Sequence, residues 1–342
     1  MTQVRYGVGG EPVTHSLSPM LMGLIVRHLS ENAIDIKSRQ LHEINLERMD
    51  VIPATRIEDA LAWGYVGELP GQIVNWESTA SPLSAFRART LIERISKSVT
   101  EIVQEPDSRL EPLGTAELPV KNKRIPGAPN ERWLSITSPL KHQLSGAAMK
   151  FVDAGKDADC INALRWNTRE WWVASTDGIG LVHVANHRGI DIAAGAVLDL
   201  HGGGGAARSC AAAWSKAGGK IRWSGGRREL AEDGPWAKSL LPAENHYDAD
   251  LSINFDVSPA VKDDVTGQGL VMMANYSLNE LELEAKFEAL ASEPLDGRWL
   301  LCAQHLASWS TLWCPNRAQD LPSLELLLTR LLHAENQLAD YR

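Results

Sequence analysis

Three observations predict an α/β fold with parallel sheets, divided into about two domains. The chain has 342 residues, more than one domain of ordinary size needs. Apolar runs of strand period alternate with runs of helical period. One such strand leads through four consecutive glycines, Gly202 to Gly205, into an alanine-rich helix.

The elements follow in order. Val4, Tyr6 and Val8 alternate as a strand that ends at Gly9-Gly10. Ser18-Pro19 predicts a helix over 18–29, with the serine as N-cap and the proline in the first turn. A second strand is placed over 34–41, and residues 45–80 carry no clear pattern. Ser81-Pro82 marks another helix start, after which Ile92, Ile95, Val99, Ile102 and Val103 share a helical face. Residues 105–131 hold five prolines and read as a long loop. Strands are expected over 133–137, 160–166 and 170–174, the last two about an Asn167-Thr168 turn. Thr176-Asp177-Gly178 opens a helix over 177–187. An apolar strand over 196–201 precedes the glycines, and the helix after them, 206–217, stops at Gly218-Gly219. Further strands are expected over 220–223, 251–254 and 270–273. Leu324, Leu327, Leu328, Leu331 and Leu332 carry a C-terminal helix.

Composition narrows the function classes. The chain is 44% hydrophobic and 23% charged, with net charge -9 and pI about 5.6. That balance argues against a nucleic-acid binder and permits an anionic small-molecule ligand. The four cysteines, Cys160, Cys210, Cys302 and Cys314, have neither C-x-x-C nor zinc-ligand spacing. They read as free thiols in a reducing compartment, and no metal is expected. No signal peptide is visible at the N-terminus, and no run approaches the ~20 apolar residues of a membrane span. A cytoplasmic protein is expected. The twelve tryptophans are scattered and suggest no function.

The segment from Ala196 to His201, then Gly202-x-Gly204-x-x-Ala207, has the strand–turn–helix context of a dinucleotide site. The first glycine permits a tight turn. The second lets the backbone approach a pyrophosphate, and a small third residue lets helix and strand pack closely. The helix N-terminus offers N–H groups and partial positive charge. Gly202, Gly203, Gly204, Gly205 and Ala206 are the cofactor-binding candidates, against the alternative of a flexible loop. About 20 residues on, where an NAD site places an acid, stand Arg227 and Arg228. They suit a ribose phosphate and so NADP, with NAD a second option. Otherwise they are solvated residues at a helix start.

Six segments, in order, resemble the shikimate dehydrogenase family. His15-Ser16-Leu17-Ser18-Pro19 matches its H-S-L-S-P. Ser135-Ile136-Thr137-Ser138-Pro139-Leu140-Lys141 is similar to N-V-T-x-P-x-K. The segment from Asp159 to Leu164 resembles G-A-V-N-T-L, and Ser175-Thr176-Asp177-Gly178-Ile179-Gly180 resembles N-T-D-G-x-G. Gly202 to Arg208 is similar to G-A-G-G-A-A-R, and Gln304 stands where the family has a late glutamine.

The resemblance implies an N-terminal α/β substrate domain with a mostly parallel sheet, 1–178 with 296–342. It also implies a Rossmann-like dinucleotide-binding domain, 179–295, with the active site between the two. The implied substrate is a hydroxylated ring carboxylate. The implied reaction is reversible NADP(H)-dependent reduction of 3-dehydroshikimate to shikimate, in aromatic amino-acid biosynthesis. Lys141 would be the catalytic lysine and Asp177 its partner. Ser16 and Ser18 would hold the carboxylate; Thr137, Asn162 and Gln304 would hold the ring hydroxyls. Read on their own, Lys141 is a surface lysine, Thr176-Asp177-Gly178 a helix cap, and Ser18 the cap of its helix. A homodimer is one assembly the chain allows, but the sequence does not set its oligomeric state.

The match departs from the pattern at four places. Ser135 and Ser175 replace asparagines. Tyr276 falls out of clean register with the family's late tyrosine. The 125 positions from Ser16 to Lys141 exceed the family's usual spacing, so the inserted chain covers the cleft, makes an interface or is inert. Quinate or aminoshikimate dehydrogenase, a ligand sensor without turnover, and a methyltransferase are the competing readings.

Overall fold

The computed structural model describes residues 2–32, 44–66, 71–115, 117–118, 125, 127–144, 149–242, 247–256, 269–276 and 281–341. The chain begins with β1 (Thr2–Gly10), α1 (Ser18–Glu31), β2 (Ile44–Pro53) and α2 (Ile57–Ala62). The short pair β3 (Ile73–Val74) and β4 (Leu83–Ser84) leads into α3 (Ala85–Ile102). Then come β5 (Asn130–Ile136), β6 (Met149–Phe151), β7 (Ala163–Trp166), β8 (Trp171–Ala174) and α4 (Asp177–His187). The glycine-rich half holds β9 (Val197–His201), α5 (Gly205–Lys216), β10 (Lys220–Trp223), β11 (Leu251–Asn254) and β12 (Leu270–Met273). The helices α6 (Leu283–Ala291), α7 (Arg298–Ser308) and α8 (Leu324–Ala339) close the chain.

Among the described residues the strands form two large sheets and the small antiparallel pair β3-β4. The first has the order β2-β1-β5-β7-β8-β6, and only β7 runs against its neighbours. The second, β10-β9-β11-β12, is wholly parallel. The chain is thus α/β with one mostly parallel and one parallel sheet, as expected.

Burial explains which strands were legible. β1 shows period two at Val4, Tyr6 and Val8, all buried. In β2 the run Met49, Asp50, Val51, Ile52 is buried on both faces, so no alternation marks it. The strand expected over 34–41 lies outside the described residues. Gly7 serves close packing: a Cβ there would meet Ile52 Cδ1 at 2.8 Å and the Trp63 ring at 3.1 Å.

Two helix starts differ from expectation. The first helix has Leu17 at its N-cap and no side-chain cap; Ser18 is its first helical residue. Ser81-Pro82 leads into β4, and the next helix is capped by Ser84, whose hydroxyl accepts from Arg87 N at 3.4 Å. In α3, Ile92, Ile95 and Val99 are buried, as is Val103 just beyond its end. Ile102, in the last position of the helix, is 69% exposed. This helix packs on α1 and α8, where Gly23 would place a Cβ 2.6 Å from Ile92 Cγ2.

The last helices return to the first sheet. α8 packs on α1 and α3, and α7 packs on α4 and α8. A buried fork joins Arg165 of β7 to Glu131 of β5 at 2.7 and 2.8 Å. The same guanidinium donates to the Leu312 and Trp313 carbonyls beyond α7, both at 3.1 Å. Trp133 stacks on Trp313 with centroids 6.0 Å apart. The tryptophans are thus core packing. Among the described residues no helix is long and apolar enough to cross a membrane.

Candidate active site

Chain direction brings the polar residues to one edge. Ser16 and Ser18 follow the C-terminal end of β1, Thr137 and Lys141 that of β5, and Asp177 that of β8. Because β7 runs antiparallel, with Ser135 opposite Ala163, its start lies beside the end of β5. Asn162 therefore reaches the same edge.

There Lys141 Nζ donates to Asp177 Oδ2 at 2.6 Å, and Asn162 Nδ2 donates to Asp177 Oδ1 at 2.9 Å. Asn162 Oδ1 accepts from Thr176 N at 2.7 Å and from Thr176 Oγ1 at 3.1 Å. The Asp177 side chain is 2% exposed and that of Lys141 15%. Both carboxylate oxygens are committed to Lys141 and Asn162, and no side chain caps α4. The helix-cap and surface-lysine readings are therefore not what the structure shows. Burial is the largest influence on Lys141 and works against its charge. The Asp177 carboxylate, through its charge and its hydrogen bond, opposes burial, and the pKa ends above the usual lysine value.

The glycines of Asp177-Gly178-Ile179-Gly180 have separate packing roles. A Cβ on Gly178 would collide with the Ser209 carbonyl of α5. One on Gly180 would lie 2.7 Å from Gln304 N in α7. The first lets α5 close on α4, and the second lets Gln304 reach the cleft. Ser175, in place of the family's asparagine, donates to Ser209 Oγ at 2.8 Å across the same contact.

A cleft of about 600 Å³ joins this edge to the glycine-rich turn. Ser16, Ser18, Thr137, Lys141, Asn162, Asp177 and Gln304 all line it, as do Gly204, Gly205, Ala206, Arg227 and Arg228. Gly202 and Gly203 do not line it. Gly203 lies against the Arg228 and Glu229 carbonyls, too close for a side chain. Gly202, at φ +118, turns the chain at the end of β9. No residue of 19–134 lines the cleft, so among the described residues the long insertion does not cover it.

The turn sits where the second sheet reverses its strand order: β10 lies on one side of β9 and β11 on the other. That switch point is where open α/β sheets bind ligands. Gly205 abuts the lysine, since a Cβ there would stand 2.9 Å from Lys141 Cβ. Gly204 has nothing within 4 Å of such an atom, and α5 has no side-chain cap. A pyrophosphate therefore has both room and free N–H groups here.

Arg227 and Arg228 lie in a bend rather than at a helix start. Arg227 is tied to Asp256, which accepts from its backbone N at 2.6 Å and pairs with its guanidinium at 3.2 Å. Arg228 is exposed and has no ion-pair partner among the described residues. Burial first, then Arg228, holds His142 below the usual histidine value.

Sequence reasoning missed several cleft residues. Asp256 and Phe255 follow β11 at the switch point. His305 and Ser308 share the α7 wall with Gln304, and the helical spacing of 304 and 308 was a usable signal. Tyr276 also lines the cleft, with the Arg298 guanidinium 5.4 Å from its ring centroid.

No protein-family model matches the sequence. Shikimate dehydrogenases (NADP(+)) of Xanthomonas oryzae pv. oryzae (strain MAFF 311018) and Xanthomonas euvesicatoria pv. vesicatoria (strain 85-10) are each 38% identical over 85 residues. Those residues are 25% of this chain and 30% of each relative's length. In structure the chain is similar to shikimate 5-dehydrogenase from Thermus thermophilus in complex with NADP(H) and shikimate. The TM-score is 0.51 at 18% identity, covering 99% of this chain and 100% of that one. The shikimate dehydrogenase from Aquifex aeolicus aligns with TM-score 0.50 at 15% identity, covering 96% and 97%. The resemblance noted in the motifs is thus matched by fold along nearly the whole chain.

Proposed function

We propose that the chain is a shikimate dehydrogenase-like oxidoreductase that interconverts 3-dehydroshikimate and shikimate with NADP(H). The observation that carries this reading is the Lys141–Asp177–Asn162 cluster in the same cleft as the open glycine turn. Residues 1–178 with 296–342 would be the substrate domain and 179–295 the cofactor domain, a division that follows the two sheets. Gly204, Gly205 and Ala206 would hold the pyrophosphate. Arg228, with Arg227 held by Asp256, would face the ribose phosphate. The four free cysteines suit a reducing compartment such as the cytoplasm.

The chemistry divides simply. The nicotinamide supplies or receives the hydride. As negative charge develops on the ring oxygen, Lys141 Nζ donates a proton to it, and Asp177 stabilises and orients the ammonium. A lysine pKa above the ordinary value keeps Nζ loaded as donor at neutral pH. Thr137, Asn162 and Gln304 would position the ring hydroxyls, and Ser16 and Ser18 the carboxylate.

The test is absorbance of reduced nicotinamide with shikimate and either NADP or NAD. Turnover that is faster with NADP supports the reading. Turnover only with quinate moves the substrate within the same chemistry. A folded protein that binds NADP and turns over none of these ring carboxylates overturns it in favour of a sensor.

A further inference from the structure

The Ser18 hydroxyl has a second neighbour that the family motifs do not contain. On α7, beside Gln304, His305 brings Nε2 to 2.9 Å from Ser18 Oγ. The residue is 2% exposed, and its ring tilts against Trp313 with centroids 5.8 Å apart. Burial lowers its pKa to about 3, so the imidazole is neutral wherever the protein works.

A neutral imidazole has one N–H. Nδ1 is buried with no hydrogen-bond partner among the described residues. A proton there would be a buried donor with no acceptor, the rarer and costlier arrangement. The surroundings therefore favour the proton on Nε2, donated to Ser18 Oγ. Ser18 then accepts from His305, and its own O–H is left to donate outward. Tyr6, in β1, commits its own hydroxyl proton to Ser135 Oγ at 2.9 Å. Ser16 Oγ is already an acceptor, from Ser18 N at 3.2 Å, which leaves its O–H free as well. The arginines lining the cleft are Arg227 and Arg228, both beside the glycine turn. The carboxylate end therefore relies on hydroxyl donors, and the direction of each proton decides whether an anion binds.

We infer that His305 is a positioning residue for the carboxylate: by donating to Ser18 it reserves the Ser18 hydroxyl as a donor to the anion. This inference rests on the shikimate dehydrogenase reading.

The experiment compares wild type with His305→Leu and His305→Gln, using shikimate and its methyl ester as substrates. His305→Met serves as the apolar replacement if the leucine variant does not fold. The apolar variant is expected to raise KM for shikimate about tenfold, with kcat within about twofold and KM for NADP unchanged. The methyl ester, which carries no charge for Ser18 to meet, should lose far less. Glutamine, whose amide can still donate, should recover most of the loss. An apolar variant that leaves KM unchanged, or that weakens acid and ester alike, overturns the role of His305 while the dehydrogenase reading stands. Wild-type protein that turns over no ring carboxylate overturns both.

Discussion

Lys141 has its polar contacts defined by a single carboxylate, so its substitutions make the sharpest test of the chemistry. Lys141→Ala should lower turnover by about 10³-fold or more, since a positioned proton donor is worth roughly 10²–10⁴. Shikimate affinity by calorimetry should change little. Near-normal turnover would remove Lys141 from the reaction. Asp177→Asn keeps the shape but withdraws the charge that raises the lysine pKa. In the oxidation direction Lys141 must accept a proton, so wild-type kcat/KM should climb with pH without a plateau below about 10. The asparagine variant should level off at lower pH. A shared plateau in both proteins would show that Asp177 does not set the lysine.

At the scale of elements, the cleft depends on how closely three helices approach. α5 reaches α4 only because position 178 has no side chain, and α7 reaches it only because position 180 has none. Gly178→Ala should destabilise by about 1–3 kcal/mol, the usual cost of overpacking. Gly127, where an added Cβ meets only Thr2 Oγ1 at 3.8 Å, should tolerate alanine. Equal melting temperatures for the two variants would mean the helix contact is slack. Between β5 and β7, the Arg165–Glu131 pair is buried from water, with side chains 5% and 0% exposed. Glu131→Gln strips a buried guanidinium of its counter-charge and should cost about 3–5 kcal/mol, read from urea unfolding. A loss below about 1 kcal/mol would show that water reaches the pair.

The whole molecule should lose stability on mild acidification. His183 and His305 are buried, and burial lowers them to about 4 and about 3. Their unfolded value is about 6.5. The unfolded chain therefore binds protons first as pH falls, and the stability present above pH 6.5 is lost towards pH 4. Each histidine contributes a slope of roughly 1.4 kcal/mol per pH unit in that window. The melting temperature should fall steadily from pH 7 to pH 5 and recover on return. A flat profile would show that these rings have charged partners in solution. NADP at about 100 times its Kd should raise stability by roughly 2.7 kcal/mol, joining the two sheets through one ligand.

Much of this protein was legible without coordinates, for a local reason. The glycine turn, the Thr176-Asp177-Gly178 start, β10, β11 and β12 each carry their signal within a few consecutive residues. The short motifs named Ser16, Ser18, Thr137, Lys141, Asn162, Asp177 and Gln304, all of which line the cleft, but not Asp256, His305 or Ser308. What stayed hidden depends on distant partners. The second half of β2, Met49 to Ile52, is buried on both faces, so those residues show no period. Ser18 looked like a helix cap, but its hydroxyl faces a histidine 287 positions away. His305 lies one residue beyond the Gln304 match and belongs to no motif itself, and Asp256 gains its place from the strand order of the second sheet. Sequence by itself determined which residues had the chemistry, because residue type and short spacing are covalent facts. Only the tertiary structure decided which of them share a proton. That requires atoms within about 3 Å, and the antiparallel turn of β7 and the close crossing of α4, α5 and α7 set those distances.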